Sequence, residues 1–138
     1  MLFRSEYVFQ AFRYVDVLLP NQHEACRLSR KDDADSAAAF LSTMVPLVII
    51  KRGPDGAMAR RGNEVFSAPG QRGEFVDAVG AGDSFDAGFI HEFIRGASIE
   101  DCLKFGNITG ALSVTRAGGT EAFRDASHRK AFLDKQQL

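Results

Sequence analysis

The chain has 138 residues, 45% of them hydrophobic, with twelve Phe and no Trp, which is enough for one domain with a core and too few for two full ones. Its 17 basic and 18 acidic side chains give a formal charge of -1, so nothing suggests a basic face for a nucleic-acid backbone, and small molecules are the expected partners. Cys26 and Cys102 are isolated, without Cys-x-x-Cys or paired histidines, so neither a zinc site nor a disulfide framework is expected and reduced thiols in a cytoplasm fit best.

Arg4, Glu6 and Arg13 interrupt the aromatic amino terminus, so no apolar run there suits a signal peptide or a membrane span, and a soluble protein is expected. Phe3, Tyr7, Val8, Ala11 and Val15 recur at helical spacing, which predicts an amphipathic helix with Arg4 and Arg13 towards water. Val15 to Leu19 is a short apolar run ended by Pro20-Asn21, the pattern of a buried parallel strand followed by a helix start. Asn21 and Glu24 then lie three residues apart, on one face of the first helical turn, in the arrangement of a capping box. His23, His91 and His128 share no ligand-like spacing and read as surface residues.

Lys31 to Asp35 reads as a charged loop, and Ala37 to Met44 as a helix packed on the sheet and stopped by Pro46. Leu47 to Ile50 predicts a second buried strand. Its exit, Lys51-Arg52-Gly53-Pro54-Asp55-Gly56, has ordinary turn chemistry, at the strand end where open α/β sheets bind ligands. Ala57 to Arg60 and Val65 to Ala68 flank Arg61-Gly62-Asn63-Glu64 as a β-hairpin on the sheet edge. Pro69 to Gly73 reads as a loop and Glu74 to Val76 as a brief strand leading to Asp77.

The stretch DAVGAGDSFDAGFIHEFI, Asp77 to Ile94, organises the rest. Gly80-Ala81-Gly82 precedes Asp83, and Phe85, Phe89, Phe93, Ile90 and Ile94 follow at helical spacing, so a helix starts at about Gly82. Its first turn presents open N-H groups from residues without obstructing side chains, which suits an anion. Asp83 is either a cap that offsets the helix dipole or a carboxylate kept ionised to accept a proton. No Walker A string occurs, and Phe85 stands where a dinucleotide fingerprint needs a small residue. Ser98-Ile99-Glu100-Asp101 opens a long helix to about Val114. Gly106 and Gly110 each cost it about 1 kcal/mol relative to Ala, which implies close approach by the preceding helix at Ala87-Gly88 or by a flat ligand beside Asn107. After Gly118-Gly119 a final helix runs from Ala126 to Lys135, with Phe132 and Leu133 buried.

The string DAVGAGDSFDAGF resembles the second signature of the ribokinase-like, phosphofructokinase B type carbohydrate kinases, with Ala78 replacing the usual Thr. The resemblance runs from about Val15 to the end and implies a three-layer α/β/α sheet, mostly parallel with the hairpin at its edge. It lacks the family's amino-terminal strands, lid and di-glycine signature, so the 138 residues are expected to be a single partial domain, the nucleotide-binding and catalytic half of a longer kinase. An uncovered sheet edge would then favour self-association. By the same resemblance Gly80, Ala81 and Gly82 form the anion hole, Asp83 is the base, and Lys51, Gly53, Gly56, Gly82 and Asn107 contact ATP. Asn21 and Glu24 would order magnesium through water, and Asp77 with Val79, Ser113, Arg116 and Gly118 would form the potassium-type site that some members use. The implied activity is phosphoryl transfer from ATP to a sugar or sugar-like alcohol. A non-catalytic nucleotide-binding remnant is the alternative, and an oxidoreductase dinucleotide domain a further one.

Overall fold

The computed structural model describes residues 5–71 and 73–136. Phe3, Arg4 and Arg72, which the readings above include, lie outside the described residues. The chain divides into two compact units, Met1–Arg52 with Ala57–Ser67, and Gly53–Gly56 with Ala68–Leu138.

The first unit runs α1 (Ser5–Phe12), β1 (Val17–Leu18), α2 (Gln22–Ser29), α3 (Ala34–Leu41), β2 (Leu47–Lys51), β3 (Ala57–Arg61) and β4 (Glu64–Ala68), the last residue of β4 falling in the second unit. Strand order is β1-β2-β3-β4. β1 pairs in parallel with β2 through Val17 with Leu47 and Leu18 with Val48, whereas β2 pairs antiparallel with β3 through Val48 with Arg60 and Ile50 with Met58. Four consecutive apolar residues, Leu47 to Ile50, are all buried in β2, as a strand covered on both faces requires. Ala25, Ala37, Ala38, Leu41, Val45 and Val48 form much of the core, onto which Phe9 packs with its ring 6.0 Å from that of Phe40.

Three sequence expectations change here. The helix α1 forms, but Tyr7 and Ala11 are exposed and the buried face is Val8, Phe9 and Phe12, a set that satisfies the same period while leaving the phenol in water. Only Val17 and Leu18 of the expected five-residue strand are β, and both are half-buried, because β1 is an edge strand; the parallel run continues past Pro20 as a bridge between Asn21 and Lys51. The charged loop ends early, since Asp33 caps α3 by accepting from the Ser36 amide at 2.7 Å, and α3 stops at Leu41, where the Ser42 and Thr43 hydroxyls donate back to the carbonyls of Ala39 and Phe40.

The second unit begins with a single 3-10 turn, Gly53–Asp55, and contains α4 (Ala81–Ile94), α5 (Ile99–Ser113), α6 (Glu121–Arg124) and α7 (Ala126–Lys135). Phe85 and Phe89 of α4, with Cys102 and Leu103 of α5, are buried, and Ile108, Leu112, Ala122 and Phe132 form a second cluster. Ser98 caps α5 by accepting from the Asp101 amide at 3.1 Å. Glycines on both helices permit a close approach: a Cβ on Gly106 of α5 would stand 2.9 Å from the Phe85 ring, and one on Gly88 of α4 only 2.2 Å from the Thr109 hydroxyl. Helix packing, with Phe85 rather than Ala87 as the partner of Gly106, accounts for them.

The expected strand at Glu74 to Val76 does not form. Phe75 and Val76 are exposed, and the amides of Val76 and Asp77 both donate to the Val114 carbonyl, so the segment is anchored to the end of α5 instead of to a strand. The short α6 was not foreseen; its four residues are too few to show a period, and Ala122 is its buried contact. His128 is half-buried rather than on the surface, with Nε2 2.7 Å from the Thr115 hydroxyl. Among the described residues no helix is long and apolar enough to cross a membrane.

Candidate active site

Gly80 is the N-cap of α4 and has a φ of 78°, a left-handed conformation that L side chains resist. A Cβ there would also lie 2.8 Å from the Gly119 Cα, so the turn and the residue 118–119 loop touch backbone to backbone. Of the first amides of the helix, Ala81 donates to the Ala78 carbonyl and Ser84 to that of Gly80. Those of Gly82 and Asp83 have no acceptor among the described residues, which leaves two open donors at the positive end of the helix. The Asp83 side chain is exposed, and no side chain caps α4. Its carboxylate has no hydrogen-bond or ion-pair partner among the described residues, so the capping alternative lacks the bond that would define it.

Asp77 fastens this turn. One carboxylate oxygen accepts from the Val79 amide at 3.0 Å and the other from the Gly118 amide at 3.0 Å. Those bonds, led by that of Gly118, hold the carboxyl below its ordinary value. Asp77, Val79 and Gly118 are thus brought together. Ser113, the last residue of α5, is adjacent in the chain to Val114, whose carbonyl anchors Val76 and Asp77; its buried Oγ has no partner among the described residues. Arg116 pairs with Asp125 at 3.5 Å.

Of the expected nucleotide contacts in this unit, Gly53 has a φ of 55° and open space where a Cβ would stand. Gly56 is different: with a φ of 89°, its Cβ would lie 2.1 Å from the Ala68 carbonyl oxygen and 2.5 Å from the Gly70 nitrogen. Asn107 is buried and donates from Nδ2 to the carbonyls of Ala68 at 3.2 Å and Pro69 at 3.0 Å. Gly56 and Asn107 therefore meet on residues 68–70, where the sequence reading ends a hairpin strand at Ala68 and begins a plain loop at Pro69, although Pro-Gly marks a tight turn.

In the first unit, the Asn21 side chain accepts from the Glu24 amide at 2.8 Å and Glu24 Oε2 accepts from the Asn21 amide at 2.9 Å, a complete capping box. The bridge between Asn21 and Lys51, with the Lys51 amide donating to the Pro20 carbonyl at 3.0 Å, sets Lys51 beside that box. Among the described residues no three His, Cys, Asp or Glu side chains gather as a direct metal cage.

A family model described as pfkB family carbohydrate kinase matches residues 5–126. An uncharacterized sugar kinase of Archaeoglobus fulgidus is 30% identical over 105 residues, 76% of this chain and 42% of the relative. Adenosine kinase from Sinorhizobium meliloti superposes with a TM-score of 0.85 at 26% identity, covering 98% of this chain and 41% of that one. A ribokinase II of E. coli, solved in complex with ATP and Mg+2, gives 0.79 at 31% identity, covering 94% and 42%. The chain spans about two-fifths of the length of these relatives.

Proposed function

The chain belongs to the pfkB family of carbohydrate kinases and has a ribokinase-like fold, and on that premise we propose that it carries the nucleotide-binding and catalytic residues for phosphoryl transfer from ATP to a hydroxyl of a sugar or sugar-like alcohol. The observation that carries this reading is the pair of open amides of Gly82 and Asp83 beside an exposed, unpaired Asp83 carboxylate. In the proposed step the acceptor hydroxyl oxygen attacks the terminal phosphorus, its proton passes to Asp83, and the bond to the bridging oxygen breaks to release ADP. The open amide of Gly82, in the turn formed by Gly80, Ala81 and Gly82, holds the transferred phosphoryl oxygens together with that of Asp83, with the helix dipole in support. Magnesium, when bound, would supply charge to the phosphates, and Glu24 and Asn21 of the capping box would order its waters. Lys51 and Gly53 are contacts for the nucleotide, and the buried Gly56 and Asn107 act on it through residues 68–70. Asp77, Val79, Ser113, Arg116 and Gly118 would hold a monovalent cation. Exposed Ile90, Phe93 and Ile94 on one side of α4 support self-association as a further property.

Calorimetric titration of the chain with magnesium-ATP, followed by ADP release across sugars, sugar alcohols and nucleosides, tests the proposal. Saturable binding with acceptor-dependent release is expected. A folded chain that binds no magnesium-ATP overturns it, and binding without turnover assigns a non-catalytic nucleotide-binding remnant.

A further inference from the structure

The face of α5 towards α4 is made of Gly106, Thr109 and Gly110, and it meets Ala81, Ser84, Phe85 and Gly88, residues spaced so as to share one face of α4. At its centre the Thr109 hydroxyl has three carbonyls in reach: Ser84 at 2.7 Å, Gly106 at 3.1 Å and Phe105 at 3.2 Å. A hydroxyl has one proton, and the shortest of the three distances is the one that crosses between helices. A threonine inside a helix ordinarily returns that proton to its own preceding turn. Gly88 permits the other choice, because a Cβ at that position would stand 2.2 Å from the Thr109 oxygen. Gly110 completes the contact, its absent Cβ lying 3.4 Å from the Ala81 carbonyl oxygen.

The acceptor matters more than the bond itself. Ser84 ends the first turn of α4, directly after the two residues whose amides are open. We infer that Thr109 is a positioning residue for the anion hole: its hydroxyl, gripping the Ser84 carbonyl, fixes the axial and rotational setting of the first turn and so aims the Gly82 and Asp83 amides. The turn is then held from two sides, by Thr109 at Ser84 and by Asp77 at Val79. The inference rests on the proposed nucleotide role of that turn.

The test compares Thr109→Val, which keeps the branched shape without a proton donor, with Thr109→Ser, which keeps the donor. Both are read in the full chain by magnesium-ATP calorimetry, by thermal melting and by the chemical shifts and hydrogen exchange of the Gly82 and Asp83 amides. Thr109→Val should weaken magnesium-ATP binding by about threefold to tenfold, the worth of one hydrogen bond, and should shift both amides, while Thr109→Ser behaves as wild type. Should Thr109→Val fail to fold, Thr109→Ala provides the same comparison. Unchanged amides in the hydroxyl-free variant overturn the inference, as does a serine variant that behaves like valine. If the wild-type chain binds no magnesium-ATP, the kinase reading fails by itself and the amide shifts still decide whether Thr109 sets the turn.

Discussion

The Asp77 carboxylate and the Gly118 amide, 41 residues apart, are joined by a hydrogen bond of 3.0 Å, while the other oxygen of the same carboxylate holds the Val79 amide. One side chain thereby ties the entry of α4 to the loop after α5. Because both bonds favour the charged form, the folded-state pKa of Asp77 lies below its unfolded value, as it does for the helix-capping Asp33 and Asp125. Their contributions are present above an unfolded pKa of about 4 and vanish as pH falls through the lower folded values. The melting temperature should therefore fall as the pH drops below about 4. Asp77→Asn, which cannot accept both amides, should melt lower at neutral pH and show a shallower acid slope; parallel melting curves for the two proteins across that range contradict this.

Asp83→Asn separates base from bystander. It keeps the shape and removes the proton acceptor, so turnover, in this chain or in a longer protein carrying it, should fall by a factor on the order of 10² to 10⁴. Magnesium-ATP affinity should stay level or rise, since a negative charge near the phosphates is gone. Stability should move by less than about 1 kcal/mol, as expected for an exposed side chain without a cap bond. Preserved acceptor-dependent ADP release removes Asp83 from the chemistry.

At Gly82 a branched side chain would crowd the approach to the open amides. Gly82→Val is expected to lower magnesium-ATP affinity at least about tenfold in a folded protein, read by calorimetry. Unchanged affinity disproves the anion hole.

The two glycines of the Gly53 to Gly56 turn should respond differently. Gly53→Ala meets open space and bears only the strain of a positive φ, about 1 kcal/mol. Gly56→Ala adds a collision with the Ala68 and Gly70 backbones and should cost well over about 2 kcal/mol. Chemical denaturation of the pair checks the order, which reverses if residues 68–70 yield easily.

Glu24→Gln retains an oxygen for the Asn21 amide and removes the charge. Helix α2 should keep its stability to within about 0.5 kcal/mol, whereas the magnesium concentration needed for half-maximal nucleotide binding should rise severalfold. A titration with unaltered magnesium dependence leaves Glu24 as a cap alone.

Local chemistry made much of this readable. The Asn21–Glu24 box, the hairpin, the Ser98 cap and the α7 boundaries depend on residues within four of each other, and such short-range rules survive folding. What escaped depends on distant partners. Nothing near Glu74 to Val76 discloses that its amides go to Val114, and nothing near Asn107 discloses carbonyls 38 and 39 residues earlier. The close approach at Gly106 and Gly110 was legible as a need, but Thr109, which supplies the polar contact on that face, is an unremarkable helix residue until Gly88 is seen opposite it. Tyr7 shows the limit of periodicity, because two faces of α1 fit the same count and only burial chooses between them.

The link between α4 and α5 is only residues 95–98, turned by Gly96 at a φ of 80°. Partners such as Ser84 and Thr109 are accordingly 25 residues apart in the chain. Contacts of such low sequence separation close quickly, because little loop entropy is lost before they form. The helix pair should thus assemble ahead of the long-range ties at Asp77 and Asn107, so that the first turn of α4 acquires its backbone before the loops around it are fastened.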